Sequence, residues 1–133
     1  MVSNETSRFS RPVLVVDDEF YVTKAISYLL QEEGLKCIAK NNSDGIVKLV
    51  DEENPLVVIL DVNMPKINGF TICKELRENP KYQDISILLL TARGQQEDID
   101  KGMKLGATEY ILKPFNPLEL RDKIKAIYQN HQA

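Results

Sequence analysis

With 133 residues, 43% of them hydrophobic, the chain can pack one core and has little left for a second domain. Seventeen basic against twenty acidic residues give a net charge of −3 with no basic cluster, which argues against direct nucleic-acid binding. No apolar run nears the ~20 residues of a membrane helix, nothing resembles a signal peptide, and Cys37 and Cys73 lack metal-type spacing, so a cytoplasmic domain with packed thiols is expected.

Residues 1–11 are polar and aperiodic and read as a flexible tail. A first strand is expected from Pro12 to Val16, followed by Asp17-Asp18-Glu19 and a helix. Val22, Ala25, Ile26, Leu29 and Leu30 form that helix's apolar stripe, and Gly34 ends it. Leu35, Cys37 and Ala39 alternate with Lys36 and Lys40, broken by Ile38, as a partly exposed edge strand would. Ser43-Asp44 is placed to cap a second helix that turns Ile46, Leu49 and Val50 inward.

The central stretch is Val57-Val58-Ile59-Leu60-Asp61, an unbroken apolar run ending in a carboxylate and bounded by Pro55 and Pro65. Such a run reads as a parallel strand buried on both faces. A third helix is expected over Gly69–Glu78, with Ile72, Cys73 and Leu76 buried, and a fourth strand over Ile85–Leu90. The fourth helix, Gln96–Leu105, is weakly encoded: Ile99 and Met103 are its apolar pair, and Gly102 costs about 1 kcal/mol of propensity. A short fifth strand follows over Glu109–Leu112. Asn116-Pro117-Leu118-Glu119 then opens a last helix with the face Leu120, Ile124, Ile127 and Tyr128.

Five strands alternating with five helices predict an α/β fold: a three-layer doubly wound (βα)5 domain over residues 12–130, with 131–133 left as a short C-terminal end. The strand order expected for five strands is 2-1-3-4-5, the flavodoxin-like arrangement. In that order strands one and three are neighbours, so Asp17, Asp18 and Asp61 converge at their carboxyl ends. Three carboxylates together repel unless a cation sits among them, and an all-oxygen site on short loops suits Mg²⁺. Asp17 or Asp18 taken singly also fits a helix cap. Thr91 and Lys113, at the ends of strands four and five, add a hydroxyl and an ammonium, the groups that position a phosphoryl group.

The set Asp17-Asp18, Asp61, Thr91-Ala92 and Lys113-Pro114-Phe115 resembles the receiver domain of bacterial two-component response regulators, across about Arg11 to Asn130. The resemblance implies that Asp61 is the phosphoacceptor for a sensor histidine kinase or phosphotransfer protein. It implies Mg²⁺, with Mn²⁺ as a substitute, on Asp17, Asp18, Asp61 and the Asn63 backbone carbonyl. It further implies that Thr91 and Lys113 bind the phosphoryl oxygens, that Lys113-Pro114 is a cis peptide, and that Thr91 and Tyr110 form the switch. Asn63 and Arg93 flank the site and are placed to tune the phosphoryl lifetime.

On the same resemblance, output runs through the face made by helix 4, strand 5 and helix 5, toward a downstream protein, an effector domain or a homodimer partner. Glu109, Glu119 and Lys123 fit the charge set of the dimerising winged-helix class, whereas Ile99 stands where that class tends to carry a basic residue. The chain reads as a signalling phosphoprotein rather than an enzyme acting on other substrates, and a stand-alone regulator and a domain of a longer one fit equally. The alternative is a non-phosphorylated interaction module of the same fold. A haloacid-dehalogenase-type hydrolase would want an acid where Asn63 stands, and a flavodoxin-like cofactor site would not place Asp17-Asp18-Glu19 against a phosphate.

Overall fold

The computed structural model describes residues 11–132. In chain order the elements are β1 (Val13–Val16), α1 (Phe20–Gln31), β2 (Cys37–Lys40), α2 (Ile46–Glu53), β3 (Val57–Asp61), α3 (Gly69–Glu78), β4 (Ser86–Thr91), α4 (Gln96–Lys104), β5 (Glu109–Leu112) and α5 (Pro117–Gln132), with a single 3-10 turn at Pro80–Tyr82. The strands form one parallel sheet in the order β2-β1-β3-β4-β5, the arrangement expected from the sequence.

The pleat sorts each strand's side chains between two cores. Val13, Val15, Val57, Ile59, Leu88 and Leu90 face α1 and α5, meeting Val22, Ile26, Leu30, Leu120, Ile124 and Tyr128. Leu14, Val16, Val58, Leu60, Ile87 and Leu89 face the other layer, meeting Ile46, Val50, Phe70, Ile72, Cys73 and Leu76 from α2 and α3. β3 is buried along its whole length, which is why its sequence is apolar without alternation.

Several local expectations needed correction. Ser43-Asp44 does not cap α2: the cap position is Gly45, in the left-handed region at φ +64°, and Ser43 instead donates its hydroxyl to the Pro65 carbonyl. On α1, Ala25 is exposed and Thr23 is buried in its place. β2 begins at Cys37, with Leu35 buried just after the turn that follows α1, and β4 is shifted to end on Thr91. Arg11, expected in the tail, belongs to the folded body. Its guanidinium binds the Asn54 and Pro55 carbonyls and pairs with Asp84 at 2.7 Å, while its own carbonyl accepts from the Tyr128 hydroxyl at 2.6 Å. The rest of that tail lies outside the described residues.

The largest departure is α4. It buries Asp98 and Gly102, leaving Ile99 half-buried and Met103 46% exposed. Gly102 is there for closeness: a Cβ at that position would lie 2.9 Å from Leu89 Cδ1 and 3.0 Å from Tyr110 Cδ1. The helix packs by backbone proximity, so its apolar stripe is thin.

Candidate functional site

The ladders bring the strand ends into one row. Val16 pairs with Leu60, Asp61 with Leu90 and Thr91 with Leu112. Backbone bonds carry the ladder one step further, from Asp17 N to Lys40 O, Val62 N to Leu90 O and Lys113 N to Thr91 O. Asp61 continues the pleat direction of Val57 and Ile59, and Asp17 that of Val13 and Val15. Both carboxylates therefore turn toward the same side of the sheet. Carboxylate oxygens of Asp17, Asp18 and Asp61 lie within 4.8 Å of one another.

Glycine and asparagine hold this end in place. A Cβ on Gly69 would sit 2.6 Å from the Asp61 carbonyl oxygen, so only glycine lets the start of α3 press against the end of β3. Asn68 caps that helix, accepting from Thr71 N, and the backbone N–H of Gly69 donates to Val62 O. Across the pocket, the Asn41 side-chain amide donates to the Asp17 carbonyl and to Thr23 Oγ1, tying the β1–α1 turn to β2. Asp17 Oδ1 accepts from Glu19 N, a turn bond rather than the helix cap, which falls on Glu19.

Asp17 is fully buried, Asp61 is 4% exposed, and Asp18 reaches solvent. Burial pushes the Asp61 carboxyl up to about 7; the neighbouring Asp17 charge adds to this, and Lys113 opposes it. Asp17 is raised as well, by burial first, against the pull of Lys113. Burial works against the Lys113 ammonium, yet its hydrogen bond to Glu19 and the charges of Asp17 and Asp61 outweigh it and hold the lysine above its ordinary range.

One buried atom is left over. Asp17 Oδ2 has no hydrogen-bond donor among the described residues, although Lys113 Nζ is 2.9 Å away as an ion pair. A buried carboxylate oxygen that faces two further carboxylates, and whose one cationic neighbour is shared with Glu19 and Asp61, is expensive in a protein interior and fits a hard divalent cation. The residues present therefore suit Mg²⁺.

Asn63 is exposed, and its backbone N–H donates to Asp61 Oδ1 at 3.2 Å. Buried Thr91 accepts the Arg93 N–H on Oγ1 at 3.0 Å. Arg93 is a node that the sequence did not mark as such: its guanidinium pairs with Asp98 at 3.0 Å and meets Asn63 Oδ1 at 3.4 Å. Its carbonyl accepts the Tyr110 hydroxyl at 2.8 Å. The Lys113-Pro114 peptide is cis. Glu19 is the residue that spacing missed, because only the fold places it 2.7 Å from Lys113 Nζ.

A doubly wound sheet with a buried acid cluster, a lysine and a hydroxyl at the carboxyl ends of its strands defines the structural class. The family model for the response regulator receiver domain matches residues 13–125, and the chain belongs to that family, the receiver domains of two-component systems. It is 34% identical over 123 residues to the alkaline phosphatase synthesis transcriptional regulatory protein PhoP of Bacillus subtilis, covering 92% of this chain and 50% of that protein. It is 39% identical over 115 residues to the probable transcriptional regulator ycf27 of Guillardia theta, covering 86% of this chain and 44% of that one. The chain thus spans about half the length of the curated relatives it matches. Among solved structures, the chemotaxis response regulator CheY4 of Vibrio cholerae superimposes with a TM-score of 0.80 at 31% identity, covering 88% of this chain and 98% of that one. Among the described residues, no helix is long and apolar enough to cross a membrane.

Proposed function

We propose that this receiver domain accepts a phosphoryl group on Asp61 from the phosphohistidine of a sensor histidine kinase or phosphotransfer protein. The observation carrying this reading is the convergence of Asp61 with Asp17, Asp18 and Lys113 at the end of the central strand. An Asp61 carboxylate oxygen attacks phosphorus; a phosphorus–oxygen bond forms, and the phosphorus–nitrogen bond breaks. The electron pair returns to the imidazole, which is left as neutral histidine once it has exchanged protons with water. Lys113 neutralises the transferred group, and the Thr91 hydroxyl donates to one of its oxygens.

Asp17, Asp18, Asp61 and the Asn63 backbone carbonyl would hold Mg²⁺, or Mn²⁺ in its place. Bound there, the ion would supply positive charge against the mutual repulsion of the acids and the charge of the phosphoryl oxygens. The domain's chemistry is confined to its own phosphorylation and dephosphorylation.

Phosphorylation adds nearly two negative charges. Drawing Thr91 Oγ1 onto a phosphoryl oxygen takes it from the Arg93 N–H, and Arg93 is the residue to which Tyr110 and Asp98 are tied. The readout therefore runs through α4, β5 and α5. That face carries exposed Leu112 and Leu118 beside a groove of about 460 Å³ lined in part by Tyr110, Phe115 and Lys123. A downstream protein or effector domain is the reading with most support. For a homodimer the charges are half matched, and Lys123 already lies 3.6 Å from Glu109 within the chain.

Intact mass after incubation with acetyl phosphate tests the chemistry. One phosphoryl group is expected with Mg²⁺ and none with Asp61→Asn. Neither adduct nor donor turnover under any condition would leave a non-phosphorylated interaction module.

A further inference from the structure

Lys113 has three carboxylates around its ammonium, and the proposed phosphoacceptor is the farthest of them. Nζ lies 2.7 Å from Glu19 Oε1, 2.9 Å from Asp17 Oδ2 and 3.7 Å from Asp61 Oδ2. It donates a hydrogen bond to Glu19. Glu19 is itself held: its second oxygen, Oε2, accepts from the Tyr21 hydroxyl at 2.7 Å, and its backbone N–H donates to Asp17 Oδ1 at 2.9 Å. Although Glu19 occupies the cap position of α1, its side chain makes no capping bond and is turned to Lys113 instead.

We infer that Glu19, braced by Tyr21, is a positioning residue that draws Lys113 to the β1–α1 side of the pocket, so that a phosphoryl group on Asp61 must compete with Glu19 for the lysine. The inference rests on the phosphoacceptor reading and adds a regulator of that site. An ammonium has three donors, but the Glu19 bond fixes where they point. Moving Lys113 fully onto a phosphoryl oxygen requires that bond to stretch or break. Glu19 therefore slows phosphorylation, and Tyr21 sets how firmly it does so.

The test follows phosphorylation by acetyl phosphate at saturating Mg²⁺, using intact mass. Glu19→Gln removes the charge-assisted bond, and Glu19→Asp keeps the charge but shortens the reach. Both are expected to phosphorylate about fivefold faster than wild type, the size of effect a partly exposed ion pair supports. Tyr21→Phe should give a smaller gain, about twofold, in the same direction. The Mg²⁺ concentration for half-maximal rate should stay where it is in wild type. Unchanged rates in all three variants would overturn the inference. So would a severalfold shift of the Mg²⁺ midpoint, which would make Glu19 an ion ligand, or a gain confined to Glu19→Gln, which would make the effect one of charge alone.

A donor-free readout separates the inference from the reading beneath it. The Lys113 ε-ammonium NMR resonance should barely respond to Asp61→Asn in the wild-type background and should move clearly in the Glu19→Gln background. If that holds while wild type takes no phosphoryl group, the hold on Lys113 stands and the phosphoacceptor reading falls. A resonance that responds equally in both backgrounds would sink the hold itself.

Discussion

Replacing Asp61 with asparagine is expected to make the protein more stable in the absence of divalent ions. Asp61 is 4% exposed, beside a fully buried Asp17, and the one lysine between them is nearer to Asp17 and Glu19 than to Asp61. Its carboxyl stands at about 7, against 3.8 ordinarily. At about 1.36 kcal/mol per unit of pH, charging it in the folded state costs at most about 4 kcal/mol, a cost that Asp61 shares with the neighbouring Asp17. The sign follows from linkage: a carboxyl raised on folding binds more protons in the native state than in the unfolded one. Its contribution is fully present below about pH 4 and is lost as pH rises through about 7. In urea titrations with EDTA, Asp61→Asn should therefore match wild type near pH 4, gain on it as pH rises, and level off above pH 7. Mg²⁺ should close the gap by stabilising wild type, by about 1.4 kcal/mol at ten times its dissociation constant. An advantage that does not depend on pH, or no advantage at pH 8, would refute the reasoning.

Other outcomes follow from single contacts. Lys113→Ala leaves Asp17 and Asp61 without their cation and should cost about 2 kcal/mol in EDTA, less with Mg²⁺, in the same urea assay. Gly69→Ala forces a Cβ against the Asp61 carbonyl oxygen; a loss of about 3 kcal/mol or more is expected, with slower phosphorylation in whatever remains folded. Gly102→Ala, despite the better helix propensity of alanine, should destabilise by about 1–3 kcal/mol, because Leu89 and Tyr110 must give way. Tyr110→Phe removes the hydroxyl that holds the Arg93 carbonyl, and hydrogen exchange should speed up first in the β4–α4 turn and α4.

What the sequence made legible follows from the two-sided burial of this sheet. Val57–Asp61 is buried on both faces and so carries a continuous apolar signal that survives without knowledge of its neighbours. The strand-end polar groups could be read because a parallel sheet sends all its carboxyl ends to one side. Features that depend on close approach stayed hidden. Gly102 looked like a weak point in a helix, because sequence shows the missing Cβ and not the Leu89 and Tyr110 atoms that exclude one. The contacts of Arg93, placed beside the site by its sequence position, and of Glu19 escaped for a related reason: their partners lie in other elements, Asp98 and Tyr110 for one and Lys113 for the other. Ser43 looked like a cap because capping is local, yet its hydroxyl was taken by Pro65, 22 positions along the chain.

The Arg11 anchor has a topological consequence. Its carbonyl receives the Tyr128 hydroxyl and its guanidinium binds the turn before β3, so the two ends of the folded body meet at the pole opposite the acids. A linker of a few residues could join position 130 to position 11, and the chain could be reopened in the turn at Asn54, whose φ is +51°. Such a circular permutant would begin with β3, leaving every sheet ladder intact while turning the hub of the sheet into its leading strand.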